Sequence, residues 1–286
     1  MQRRAWWILL LGACGLPALA AEPQTAGLKL AVDLAAHGDP AGAAVEFRRL
    51  ALGADAPRER AGFYWASAFA YSQTGQAELA DKMLDRAEDA DPTLGAPASL
   101  LRAEQAAQRS RWNEAVFYEQ SVLESATDSD ARRYAARKLA AAQLHRGDLP
   151  AAQAALAPTG ADAPACRAVD RYADGRDKSP TLGGWLGLVP GLGYVYAGEY
   201  ANGARSLLLN GLFIFGQVNT ARRDEWGAFA VISFFEITWY TGSIYGGVDA
   251  SHRYNRRRLD ACLGSLSGSF APDFKQIPVI SLRYQF

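Results

Sequence analysis

The sequence predicts an all-α protein. It reads as an α-solenoid of helix–turn–helix units, then a helical membrane hairpin, then a short C-terminal extended segment. Three observations predict this. Turn signals recur every 35–37 residues through an alanine-rich first half. Residues 180–258 hold three apolar runs separated by short polar breaks. The final seven residues alternate apolar and polar. The chain has 286 residues, enough for about two domains. Its 30 basic and 30 acidic side chains balance. That excludes bulk electrostatic binding of nucleic acid, which needs a basic face.

Residues 1–20 read as an export signal. Arg3 and Arg4 form the charged start, Ala5 to Gly15 the apolar stretch, and Ala18-Leu19-Ala20 a small-x-small cleavage site. A competing reading is a lipoprotein signal, Leu11-Gly12-Ala13-Cys14, which leaves Cys14 lipidated. Either signal exports the rest of the chain, with a Gram-negative periplasm as the natural compartment.

Residues 24–160 are expected to be helical and repetitive. Turns fall at Gly38-Asp39-Pro40, Gly75-Gln76, Ser110-Arg111 and Gly147-Asp148. In the second unit Tyr64, Ala68 and Tyr71 lie on the first helix, and Ala80, Leu84 and Ala87 on the second. Pro92 closes that unit, and Trp112-Asn113-Glu114-Ala115 opens the second helix of the third. Ala43 and Phe47 mark the first unit, and Ala140, Ala152 and Leu156 the fourth. This pattern resembles tetratricopeptide repeats, about four in number. One such unit cannot bury its own apolar face, so units must stack. The resemblance implies a groove that binds a protein client; the competing role is a rigid spacer. Tyr64, Trp65 and Phe69 read as packing. Arg132, Arg133, Arg137 and Lys138 read as a solvated face.

Residues 161–179, rich in Pro, Asp, Ala and Gly, read as a linker with one short helix at 164–172. Residues 180–258 then read as the membrane hairpin. Trp226 to Val248 is 23 residues with one charge, Glu236. A hydrocarbon core takes roughly 20 apolar helical residues, so this run is expected to span. Ser206 to Val218 spans only with its polar flank drawn in. Thr181 to Gly198 is broken by Pro190 and its glycines. The buried core of a soluble helical domain is the competing reading.

Pro190, Gly191, Gly193, Tyr196 and Gly198 form a Pro-Gly-x-Gly-x-x-Tyr-x-Gly motif. Trp239 to Gly246 and His252-Arg253-Tyr254-Asn255 form a second signature. Together these resemble the small two-transmembrane Gly/Tyr hairpin domains. With the repeats, residues 26–258 resemble exported bacterial proteins that join tetratricopeptide repeats to such a hairpin. The resemblance implies architecture and location; it carries over no catalytic residue. A dinucleotide loop does not fit, because Tyr196 stands where a third glycine is needed.

Glu236 is the intramembrane candidate, since an ionisable group inside an apolar run is costly. Asn210 and Gln217 share a face of the other span and are expected to hydrogen-bond to it. The contact either serves a proton, ion or partner step or simply locks the helices. Orientation stays open. Two spans put the arginines at 253 and 256–258 outside, against the positive-inside tendency; three spans put them inside. The inner membrane is favoured over the outer.

The tail, residues 259–286, ends in a candidate partner strand with Ile280, Leu282, Tyr284 and Phe286 on one face. It resembles the closing strand of outer-membrane barrels, and implies docking on a barrel-assembly partner's sheet edge or back on this chain. Cys166 and Cys262 flank the hairpin and form a candidate disulfide under two spans, or stay free. No metal cluster, phosphate loop or nucleophile elbow is present in the sequence, so neither enzyme nor cofactor is expected. The expected function is a membrane-anchored periplasmic adaptor for envelope protein assembly. Its partners are a protein client, an integral membrane protein and the bilayer, not nucleic acid. The alternative is a small membrane transport or remodelling subunit that uses Glu236.

Overall fold

The computed structural model describes residues 22–157 and 163–267. The leader and the candidate strand at Ile280, Leu282, Tyr284 and Phe286 lie outside them. The described residues are all-α, as expected, with thirteen helices and one 3-10 turn at Pro92–Leu94. They divide into two compact units, one extending to Arg167 and the other Ala168–Ser265.

The first unit holds α1 (Glu22–Ala36), α2 (Pro40–Gly53), α3 (Pro57–Gln73), α4 (Ala77–Ala90), α5 (Gly95–Gln108), α6 (Trp112–Ser125), α7 (Ser129–His145) and α8 (Leu149–Leu156). Each helix packs on the next in sequence. The four turns expected from the sequence share one geometry. Gly38, Gly75, Ser110 and Gly147 all take left-handed backbone, with φ of 84, 75, 57 and 77°. In each, the following N–H reaches back five residues: Asp39 to Leu34, Gln76 to Tyr71, Arg111 to Ala106 and Asp148 to Gln143, at 2.8–3.2 Å. This is the Schellman closure, which satisfies carbonyls that the helix end leaves open. Asp39 and Asp148 then cap the next helix, accepting from the Gly42 and Ala151 N–H groups.

The repeat also holds in the core. Ala43, Ala80, Ala115 and Ala152 occupy equivalent places on the second helix of each pair, and all are buried. Ala31, Ala68, Ala103 and Ala140 do the same on the first helix. Small side chains at these places let paired backbones approach. Large side chains fill the space one turn on: Phe47, Leu84 and Leu156 are buried at one further equivalent place. In the third pair that place is Glu119, which is also buried. Tyr64 and Trp65 are buried in this core, the packing role expected of them.

The second unit holds most of α9 (Ala163–Asp174), then α10 (Pro180–Leu186), α11 (Leu192–Tyr196), α12 (Tyr200–Arg222) and α13 (Trp226–Leu266). Composition marks 161–179 as a linker. The boundary between the two units falls within it, α9 is two residues longer than expected at its end, and the C-terminal part of α9 is tied to α13. The Arg258 guanidinium donates to the Tyr172 carbonyl at 2.6 Å and sits over the Tyr172 ring. The same Schellman closure recurs at Gly198 and Asp224, which turn the chain into α12 and α13.

Candidate functional site

The glycines of the motif are placed where backbone meets backbone. Gly191 opens α11 with φ +86°, and its Cα faces the Gly203 carbonyl of α12. A β-carbon at Gly193 would lie 2.5 Å from the Gly183 carbonyl and 2.8 Å from Gly247 Cα. One at Gly183 would lie 2.5 Å from the Gly247 carbonyl. Three helices, α10, α11 and α13, therefore meet through three glycines with no room for a side chain. The Tyr194 ring covers Gly246 beside them.

Hydrogen bonds fix the register of this cluster. Buried Ser243 on α13 accepts the Gly191 N–H at 3.2 Å and the Ser206 hydroxyl of α12 at 3.1 Å. Tyr240 donates to the Leu188 carbonyl at 2.7 Å. One serine and one tyrosine of α13 thus hold the Pro190–Gly191 bend.

A polar collar closes one end. Asn255 grips the Lys178 backbone from both sides, accepting its N–H at 2.7 Å and donating to its carbonyl at 2.9 Å. The Lys178 ammonium sits over the Tyr196 and Tyr254 rings at 4.7 and 5.5 Å. Tyr196 also accepts the Ser179 N–H at 3.0 Å. Glu199 receives two hydrogen bonds from Arg253, at 2.8 and 2.9 Å, and one from Asn202 at 2.8 Å. The Arg253 bonds above all hold the Glu199 carboxyl down to about 2. Arg258 pairs with Asp177.

The sequence candidates fall differently. Asn210 is buried; its Nδ2 donates to the Ser206 carbonyl at 2.7 Å, and its Oδ1 has no partner among the described residues. Gln217 donates to Ser233 at 3.1 Å. Neither bonds Glu236, which is half-buried and makes no hydrogen bond or ion pair among the described residues. The reason is register. Pairing Ser206 with Ser243 and Gln217 with Ser233 sets Phe213 level with Glu236. Cys166 is half-buried and Cys262 buried, and each carries a free thiol. Cys262 is buried against the Ala168 carbonyl at 3.6 Å, and burial pushes its thiol up.

The hairpin expectation needs a correction. Among the described residues no helix is long and apolar enough to cross a membrane. Trp226 to Val248 falls short because serine, threonine, glycine and Glu236 dilute its leucine-poor apolar content. Ser206, Asn210, Gln217, Ser233 and Ser243 turn inward; the Ser206–Ser243 and Gln217–Ser233 bonds tie α12 to α13, while Asn210 bonds within α12. The apolar residues face out. Phe215, Phe234 and Ile237 are 70, 69 and 63% exposed, and Leu207, Leu208, Leu212 and Val231 join them. These exposures do not describe a buried soluble core, the competing expectation.

No nucleophile, base and acid converge here, and no metal-binding group of His, Cys, Asp and Glu occurs among the described residues. What the arrangement does is hold an apolar hairpin rigidly at its open end. Sequence reasoning found the motif glycines but missed Lys178, Glu199, Ser243 and Asn255 as their supports. The doublets Gly183-Gly184 and Gly246-Gly247 were a readable signal for the contact between α10 and α13. No protein-family model and no curated protein sequence matches this chain.

Proposed function

We propose that the protein is a membrane-attached adaptor. The first unit acts as a tetratricopeptide-like array that binds a protein client, and the hairpin holds the array at a bilayer. The observation that carries this reading is the outward apolar surface of α12 and α13, large and unpaired on a hairpin whose Ser206, Asn210, Gln217, Ser233 and Ser243 are turned inward. Contiguous exposed apolar surface of this kind marks a protein or membrane contact. Exposed Trp226 at one end of α13 fits a water–lipid boundary. For the array, support comes from the shared turn geometry and the equivalent buried alanines of the four pairs. The export-signal reading of residues 1–20 supports a periplasmic array, with an envelope-assembly client or an integral partner as the expected occupant of its groove.

The test is flotation of the purified full-length protein with phosphatidylethanolamine–phosphatidylglycerol vesicles. The triple variant Phe215→Glu, Phe234→Glu and Ile237→Glu is the comparison. The wild-type chain floats and the variant stays behind. Equal flotation, or none for either, would end the attachment reading. Photocrosslinkers placed on the array helices then test for a defined client band that depends on attachment.

A second reading rests on Glu236, half-buried without a partner among the described residues. There the hairpin is a small transport or remodelling subunit. Unchanged activity of Glu236→Gln in a proton- or ion-flux assay would sink it.

A further inference from the structure

Glu119 breaks the repeat. Its equivalents in the other three pairs are Phe47, Leu84 and Leu156, each buried and apolar. Glu119, at 4% exposure, falls between Phe47 at 6% and Leu156 at 2%. Its Oε2 has no hydrogen-bond partner among the described residues. Gln105 on α5, also buried, has its Nε2 unpartnered. The charged groups that face Glu119 are Glu104 from α5 and Lys138 from α7. They pair with each other at 3.3 Å, so the cation nearest Glu119 is already engaged. A charged carboxylate here would be desolvated, only partly offset by Lys138, and near the like charge of Glu104. Such a group is normally removed from cores or kept neutral.

We propose that Glu119 makes the third helix pair a proton-sensitive joint: packed while this carboxyl is neutral, and loosened around α5, α6 and α7 when it ionises. This is a property of the array itself and holds whether or not the array binds a client.

The direction comes from linkage. Burial above all, with Glu104 adding, raises the carboxyl well above its ordinary 4.5, while Lys138 opposes. The closed state holds the proton and the open state releases it. Stability from the neutral form is complete below about 4.5 and is lost as pH rises through the folded-state value. One linked proton makes local opening more frequent by up to about tenfold per pH unit in that window.

The experiment is peptide-resolved hydrogen exchange on the full-length protein, comparing wild type with Glu119→Gln at matched pH. Ratios between the two at one pH cancel the intrinsic pH dependence of exchange. The expected ratio for peptides within 95–145 is near one at pH 4 and at least about tenfold at pH 8. Peptides within 40–73 should keep a ratio near one throughout. Glu119→Leu, which restores the side chain of the second and fourth pairs, should protect 95–145 equally at both pH values. A wild-type to Gln ratio that does not change with pH would overturn the proposal. So would a Glu119→Leu variant that keeps the wild-type pH dependence.

Discussion

Gly242 and Gly247 lie five residues apart on α13, and the same substitution at each should act with opposite sign. At Gly242 a β-carbon meets nothing within 4 Å. Alanine there gains helix propensity, about 0.5–1 kcal/mol. At Gly247 the β-carbon would strike the Gly183 carbonyl and come within 3.1 Å of Gly193 Cα. Both obstacles are backbone, so no side chain can swing away. Overpacking of this kind costs about 1–3 kcal/mol, and two rigid obstacles argue for the upper part of that range. The helix gain offsets about 1 kcal/mol, leaving a net loss near 2 kcal/mol. The second unit has 265 − 168 + 1 = 98 residues. For a domain of that size, about 1 kcal/mol shifts Tm by about 4–8 °C. Gly247→Ala should therefore melt about 10 °C lower than wild type, and Gly242→Ala a few degrees higher. The assay is thermal unfolding of the full-length protein in detergent, followed by circular dichroism. If Gly247→Ala melts at or above wild type, α10, α11 and α13 do not meet backbone to backbone, and the account of the motif fails.

Other predictions rest on the same physics. Asn255→Ala removes both bonds to the Lys178 backbone and should destabilise by about 2 kcal/mol, read as a lowered Tm; an unchanged Tm would mean the grip is idle. Glu199 has a depressed carboxyl, so its contribution is present above about 4.5 and is lost as pH falls towards about 2. Glu199→Gln should thus cost about 1–2 kcal/mol at pH 7, discounted for the exposed arginines, and the gap to wild type should shrink in acid. A gap independent of pH would contradict the assignment. Ser110 alone among the four array turns holds left-handed backbone without being glycine. Ser110→Gly should stabilise by about 0.5–1 kcal/mol, seen as a higher urea midpoint, whereas alanine at Gly75 should destabilise.

The helix pairs of the first unit were the most legible part of the chain. Turn signals at Gly38, Gly75, Ser110 and Gly147 act through neighbours in sequence, so local chemistry is enough to place them. The buried alanines share the same period, because each helix packs on its sequence neighbour. The motif glycines were legible as a pattern, yet their reason was not. Gly183, Gly193 and Gly247 are brought together across more than sixty residues, and only packing decides which carbonyl each one meets. The error over Asn210, Gln217 and Glu236 has the same origin. Periodicity puts polar residues on one face, but register between two helices is set by pairs such as Ser206 with Ser243. The chain by itself determined an all-α fold, its turn positions and an apolar stretch. The tertiary structure decided that polar groups in that stretch bond inward, that its apolar groups face out, and that Glu119 sits buried where its equivalents are apolar. Local propensity is written in neighbouring residues, whereas desolvation and register depend on what lies across the interface.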